Sequence, residues 1–225
     1  MDGTHLHDAA QQFLFGFGTL FAIINPYGLS FIFLDRTMAI TDAERRVLAR
    51  RVAVTSFCVL VVSLFAGAAI LRFFGVSLPA LRIAGGLVVA VSGWVMLHEL
   101  PRAEGEHATS TATLESLTRM TIFPLTIPLT TGPGSIATAI ALAANRPADT
   151  HGALISSLVW IAVALAVSLT ILNAYRHAGS MARLFGREGT HAITRLSAFL
   201  LLCVGVQIIL TGALDGVRPL LAGFQ

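Results

Sequence analysis

"IINPYGLSF", residues 23–31, sets an amide, a proline and a glycine into the first apolar run of the chain, which extends over 13–34. Asn25 and Pro26 fall near the middle of that run. Proline has no backbone donor, and its ring collides with the carbonyl four residues back. In hydrocarbon every backbone group left bare costs several kcal/mol, so freed groups need protein, water or ligand partners. Asn followed by Pro is also a helix start, because Asn is a favoured cap and Pro a favoured first residue. The stretch therefore predicts that one half-helix ends and another begins inside a membrane span.

Composition supports a membrane setting. Of 225 residues, 55% are hydrophobic and only 12% charged, with a mean hydropathy of +0.78. A soluble domain carries about a quarter charged residues. All 15 cationic side chains are arginine, and the net charge of +3 lies in the connections, which speaks to membrane orientation and against nucleic-acid binding. Cys58 and Cys203 sit in apolar runs and are expected to be reduced core residues; they have neither disulfide nor zinc spacing. No cofactor motif is present. The polar opening "MDGTHLHDAAQQ" lacks the basic start of a signal peptide, so the first apolar segment is expected to be retained.

Spanning the hydrocarbon takes roughly 20 helical residues. Six runs qualify: 13–34, 52–74, 78–97, 120–144, 153–175 and 192–214. The second and third are joined by "GVSLP" and should form an antiparallel pair. A polar linker, 98–119, separates a first three-helix repeat (1–97) from a second (120–225) within one membrane domain. With the amino terminus outside, inner connections hold eleven arginines and outer ones four, Arg72, Arg82, Arg146 and Arg218. Both termini are therefore expected in the periplasm of a bacterium, around a multi-pass protein of the inner membrane.

The halves echo each other. "RFFGVSLPALRIAGGL" (72–87) reads like "RLFGREGTHAITRLSAFL" (183–200), and the Asn25–Gly28 break has a counterpart in "TTGPGS" (130–135). Three segments per half give repeats of opposite orientation, an architecture of secondary transporters. The expected fold is thus an all-α integral membrane protein of six helices in a 3+3 inverted repeat, with helices 1 and 4 broken near the bilayer midplane.

Two half-helix starts would bring backbone N–H groups and positive dipole ends to one place, a seat for a carboxylate. The carbonyls of Ala22 and Leu129, released by Pro26 and Pro133, suit an ammonium group or small cation. A zwitterionic amino acid fits both. Candidate substrate-binding residues are Asn25, Pro26, Tyr27 and Gly28 in one motif, and Thr130, Thr131, Gly132, Pro133, Gly134 and Ser135 in the other. Arg82 and Arg195 enter their helices at the amino-terminal end, where a dipole disfavours a cation. They read either as snorkelling residues or as a gate or counter-ion pair. Gln207 reads either as helix packing or as cavity lining. Gly86 and Ala90, four apart in "GGLVVAVSG", offer a small-residue face for close helix contact. No nucleophile, P-loop or metalloprotease pattern is present, so an enzyme is not expected.

The stretches "INPYGLSFIFL", "LPALRIAGGLVVAVSGWVML", "FPLTIPLTTGPGSI" and "RLSAFLLLCVGVQIILTG" together resemble the MarC family of bacterial inner-membrane proteins, over nearly the whole chain. The resemblance carries onto Asn25, Pro26 and Gly28, and onto Pro128, Leu129, Gly132, Pro133 and Gly134. It implies a six-helix transporter of small neutral amino acids, similar to the LysE-type exporters. Tyr27 stands where smaller aliphatics are commoner, which leaves substrate choice open. A coupling proton or sodium ion and a homo-oligomer are compatible with this reading. A passive channel for small solutes, or an accessory membrane protein without transport activity, is the alternative.

Overall fold

The computed structural model describes residues 3–37, 40–98, 130–144 and 150–222. Helix α1 (Gly3–Ile24) runs into α2 (Pro26–Arg36) through Asn25, whose φ of 44° and ψ of 59° are left-handed. Helix α3 (Asp42–Phe73) opens on a capping box, in which Thr41 accepts from the Glu44 N–H and Glu44 reaches back to the Thr41 N–H. After a tight turn comes α4 (Leu78–His98), then α5 (Pro133–Ala144). The helical stretch Thr150–Ala222 is divided at Gly186, where φ is 68°, into two apolar spans: α6, Gly152–Gly186, and α7, Ala192–Arg218. Both positive-φ glycines, Gly75 and Gly186, are the last residue of an Arg-x-Phe-Gly.

Among the described residues, five helices are long and apolar enough to cross a membrane: His7–Arg36, Asp42–Phe73, Leu78–His98, Gly152–Gly186 and Ala192–Arg218. The protein is an all-helical multi-pass membrane protein. Among the described residues of the fourth predicted segment, 130–143, the apolar helix is shorter, Pro133–Ala143. Residues 120–129 of that segment, and 99–119 of the predicted linker, lie outside the described residues.

Contacts fix the helix directions. Gln12 Nε2 donates to Ser156 Oγ at 2.7 Å, Gly16 lies against Trp160, and Phe33 stacks on Tyr175 with centroids 4.3 Å apart. Both numberings rise together, so α1–α2 and α6 are parallel. Gly93 lies on Ala198 and Leu202, Gly86 on Gly205 and Ile209, and Gly212 on Pro79 and Arg82, so α4 and α7 are antiparallel. This seam joins backbone to backbone. Helices in lipid gain little from burying apolar surface and associate through close packing, which small residues allow. The expected small-residue face at Gly86 and Ala90 is half of it; Gly205 and Gly212 supply the other half.

The connection between α2 and α3 is held by one side chain. Arg45 donates to Thr37 Oγ1 at 3.1 Å, to the carbonyls of Thr37 at 2.9 Å and Ile40 at 3.3 Å, and pairs with Asp42. Its guanidinium thus satisfies carbonyls just past the end of α2, where a helix dipole also favours a cation.

Two expectations are corrected. α3 and α4 do not pack as a pair, since both lean on α5: Gly67 of α3 lies against Ile140, and Gly85 of α4 against the backbone of Pro133 and Gly134. α5 is narrow, built of Gly134, Ala137, Ala139 and Ala143, and fits between them. An apolar cavity of about 440 Å³ is left among the three, lined by Cys58, Gly67, Leu71, Leu81, Ile136 and Ile140 among others. Nor are the cysteines core residues; Cys58 and Cys203 are both exposed and free. Apolar character does not distinguish a lipid-facing side chain from a buried one.

Candidate substrate site

The start of α2 is largely self-satisfied. The Asn25 N–H donates to the Phe21 carbonyl at 2.8 Å, Pro26 has none to give, and Asn25 Oδ1 accepts the Gly28 N–H at 3.3 Å. Pro26 is buried, while Tyr27 is 41% exposed with its ring beside Phe21 at 6.3 Å. The asparagine caps its own helix, so it removes a donor that the sequence pattern counted as free.

The start of α5 is different. Thr130, Thr131 and Ser135 are buried, and Gly132 at the cap position has no side chain. The Ser135 hydroxyl turns back to the Gly132 carbonyl at 2.9 Å, and the Ile136 N–H goes to the same oxygen at 3.1 Å. No acceptor among the described residues reaches the N–H of Gly134 or Ser135. Thr131 Oγ1 is also without a partner. A buried helix start usually finds side-chain caps or ligands for its orphan donors. The tight fit behind it comes from α4 and α7: a Cβ on Gly134 would stand 2.9 Å from Ile208 and 3.1 Å from Val89.

Tyr175 ties the two motifs together, and no sequence pattern singled it out. Its hydroxyl shares a 2.7 Å hydrogen bond with Thr130 Oγ1, while its ring stacks on Phe33 of α2. A helical side chain leans toward its own amino-terminal end, which carries the hydroxyl back along α6 toward residue 171.

No hydrogen bond joins Asn25 to the Gly132 motif, but helix register brings them level. The pairs 16 with 160 and 33 with 175 place Asn25 opposite about residue 168 of α6. Chain direction makes α3 antiparallel to α6, with the Arg45 guanidinium reaching over Gly179, where a Cβ would stand 3.9 Å from Arg45 Nη1. Residue 56 of α3 then stands within about a turn of the depth of residue 168 of α6, each being eleven residues from that contact. α5 runs alongside α3 in the same direction, and counting back from Gly67 against Ile140 puts Thr131 within about one turn of residue 56.

The other candidates are engaged elsewhere or exposed. Arg82 forms an ion pair with Asp215 of α7, reinforced by Arg218 at 3.6 Å. Asp215 went unremarked in the sequence, because only the α4–α7 seam brings it to Arg82. Arg195 is exposed at the start of α7. Gln207 is exposed and donates along its own helix to Thr211 at 3.4 Å.

A family model for MarC family integral membrane proteins matches residues 10–217. The chain belongs to the MarC family. Inner membrane protein MarC of Citrobacter koseri is 34% identical over 213 residues, 90% of this chain and 94% of that protein. Its namesakes in Salmonella paratyphi B and Escherichia coli are 34% and 32% identical, with the same shares covered. No solved structure matches significantly. The MarC match takes in Asn25–Gly28, Thr130–Ser135, Tyr175 and Asp215 alike.

Proposed function

We propose that this chain is a secondary transporter for small neutral amino acids, holding its solute in the layer shared by the start of α2 and the turn ahead of α5. The observation that carries this reading is the buried start of α5, level with Asn25, with a capless glycine and an unpaired hydroxyl. An uncapped positive helix end inside an apolar bundle suits a carboxylate. Because Asn25 already takes the Gly28 N–H, most of the donors come from α5, while the Ala22 carbonyl released by Pro26 is the candidate acceptor for the ammonium end.

The architecture behind the reading is the six-helix inverted repeat, with both breaks near the bilayer midplane. The parallel run of α6 with α1 and the antiparallel run of α4 with α7 support an even number of crossings, six in this reading. Exchanging the halves turns the α1–α6 contact into the α5–α3 contact; both occur. The two Arg-x-Phe-Gly turns sit at equivalent places under the same exchange. Eleven arginines at one end against four at the other argue for periplasmic termini in a bacterial inner membrane.

Counterflow by purified protein in liposomes tests the function. Glycine, alanine or serine competes with labelled alanine, whereas alanine methyl ester and arginine do not. A charged side chain finds no fixed partner in this layer. Equal competition by ester and free acid overturns the carboxylate reading, and flux without saturation or counterflow indicates a channel. Imposed proton or sodium gradients in the same vesicles identify any coupling ion.

A further inference from the structure

Serine and threonine hydroxyls in these helices return, as a rule, to a carbonyl of the preceding turn. Ser63 bonds Val59, Ser92 bonds Val88, Ser157 bonds Ala153, Thr138 bonds Gly134 and Thr170 bonds Ala166, at 2.7–2.9 Å. Among the described residues, three hydroxyls have a fully buried oxygen with no hydrogen-bond partner: Ser56, Thr131 and Ser168, which are 0%, 0% and 5% exposed. For Ser56 and Ser168, both inside helices, the usual bond to the preceding turn would satisfy them. Left unmade in a dry interior, each hydroxyl carries a desolvation penalty of about 1–3 kcal/mol. A fourth unsatisfied group, Trp160 Nε1, lies about 12 Å farther along α6 from Ser168, against α1.

The three are not scattered. The reach of the Arg45 guanidinium to Gly179 sets Ser56 and Ser168 within about a turn of one depth on antiparallel helices, and the Gly67–Ile140 contact brings Thr131 within about a turn of Ser56. Ser56 and Ser168 also occupy matching places in the two halves, each eleven residues before the glycine of an Ala-Gly pair, Ala66–Gly67 and Ala178–Gly179. One serine from each half, with Thr131 beside the open start of α5, falls within about one turn of a common level.

We propose that Ser56, Thr131 and Ser168 are ligand-contacting residues, and that this layer takes a small uncharged or zwitterionic polar solute by hydroxyl hydrogen bonds. Thr131, next to the α5 start, donates to the solute's anionic or carbonyl oxygen. Ser56 and Ser168 contact its remaining polar group, each able to donate one bond and accept two. The identity of that solute as an amino acid rests on the transport reading above; the hydroxyl layer does not.

The test uses Ser56→Cys and Ser168→Cys, each in the full chain with Cys58 and Cys203 replaced by alanine, and Ser157→Cys as a control. Each is treated with a small water-soluble methanethiosulfonate reagent after circular dichroism has shown that it is folded. Cysteines at 56 and 168 are expected to label, and 10 mM alanine to slow labelling at least fivefold at both but not at 157. Absence of labelling at both, in folded protein, means a dry layer and overturns the proposal. Labelling that no solute slows, whether alanine, acetate, ethylammonium or glycerol, overturns it as well. Protection by another of these solutes, and none by alanine, supports the layer and defeats the amino-acid reading. As a second measurement, Thr131→Val is expected to keep or raise the melting temperature while weakening solute protection at Ser168→Cys at least tenfold. Loss of stability with unchanged protection would make Thr131 structural only and overturn its part.

Discussion

Replacing Gly205 with alanine puts one methyl group into the α4–α7 seam, where it would stand 2.7 Å from Ala90 Cα and 2.8 Å from Ala90 Cβ. Carbon atoms pack best at about 3.5–4.0 Å, so the helices must part by roughly 1 Å. Overpacking of this kind costs about 1–3 kcal/mol. Parting the helices also loosens Gly86 from Ile209 and Gly93 from Leu202, and a gap near 1 Å forfeits about half of each contact's attraction. Against this, alanine in a helix interior is favoured over glycine by about 1 kcal/mol. The seam wins, for a net loss of about 1–2 kcal/mol. Gly18 supplies the control: it is exposed on α1 with nothing within 4 Å of an added Cβ, so Gly18→Ala keeps only the propensity gain. Reversible unfolding of detergent-solubilised protein in increasing SDS, followed by circular dichroism, should separate the two variants by about 2–3 kcal/mol. A Gly205→Ala protein as stable as Gly18→Ala would refute the backbone-on-backbone seam.

Arg45→Met keeps the apolar stem and removes the guanidinium from the Thr37 and Ile40 carbonyls; charged hydrogen bonds of this kind are worth about 2 kcal/mol, a loss the same unfolding assay measures. Wild-type stability in that variant would show the cap to be idle. For orientation, a reporter active only in the cytoplasm, fused at either terminus, is expected to be silent, and activity at the carboxyl terminus would refute the even number of crossings.

What the sequence made legible were features written in neighbouring residues. Asn25–Pro26 announces a helix start because cap and first residue are adjacent. The Arg-x-Phe-Gly turns need positive φ at their last glycine, and Gly86 with Ala90 marks a flat face. What it hid depends on helix rotation and on partners far along the chain. Apolar runs carry no period that distinguishes lipid from core, so Cys58 and Cys203 were misplaced inward. The brevity of "GVSLP" implied that α3 and α4 pack together, yet a short turn constrains only their ends, and α5 occupies the space between. Asn25 looked like a donor site because its own side chain's reach to Gly28 cannot be read from composition. Tyr175 gave no signal at all: its partners, Phe33 and Thr130, come from two other helical segments.

The same limit hid Asp215, and its surroundings make an asymmetric forecast. Arg82 and Asp215 are 20% and 28% exposed in their side chains, so their pairing lies between the surface case, worth under about 1 kcal/mol, and the buried case, where breaking a pair costs about 3–5 kcal/mol. Their losses should not be equal. Asp215 has a second cation, Arg218, at 3.6 Å, so Arg82→Gln leaves the carboxylate paired. Asp215→Asn instead leaves the Arg82 guanidinium without its carboxylate, in a half-enclosed place near the start of α4, where the helix dipole opposes a cation. Arg82→Gln should therefore cost at most about 1 kcal/mol and Asp215→Asn about 2 kcal/mol, read by SDS unfolding at low ionic strength. The double variant removes both charges and should lie above Asp215→Asn, because the half-enclosed cation is gone and only the solvent-exposed Arg218 is left unpaired. If Arg82→Gln proves the more damaging single change, then Arg218 is not sharing the carboxylate and the asymmetry argument fails.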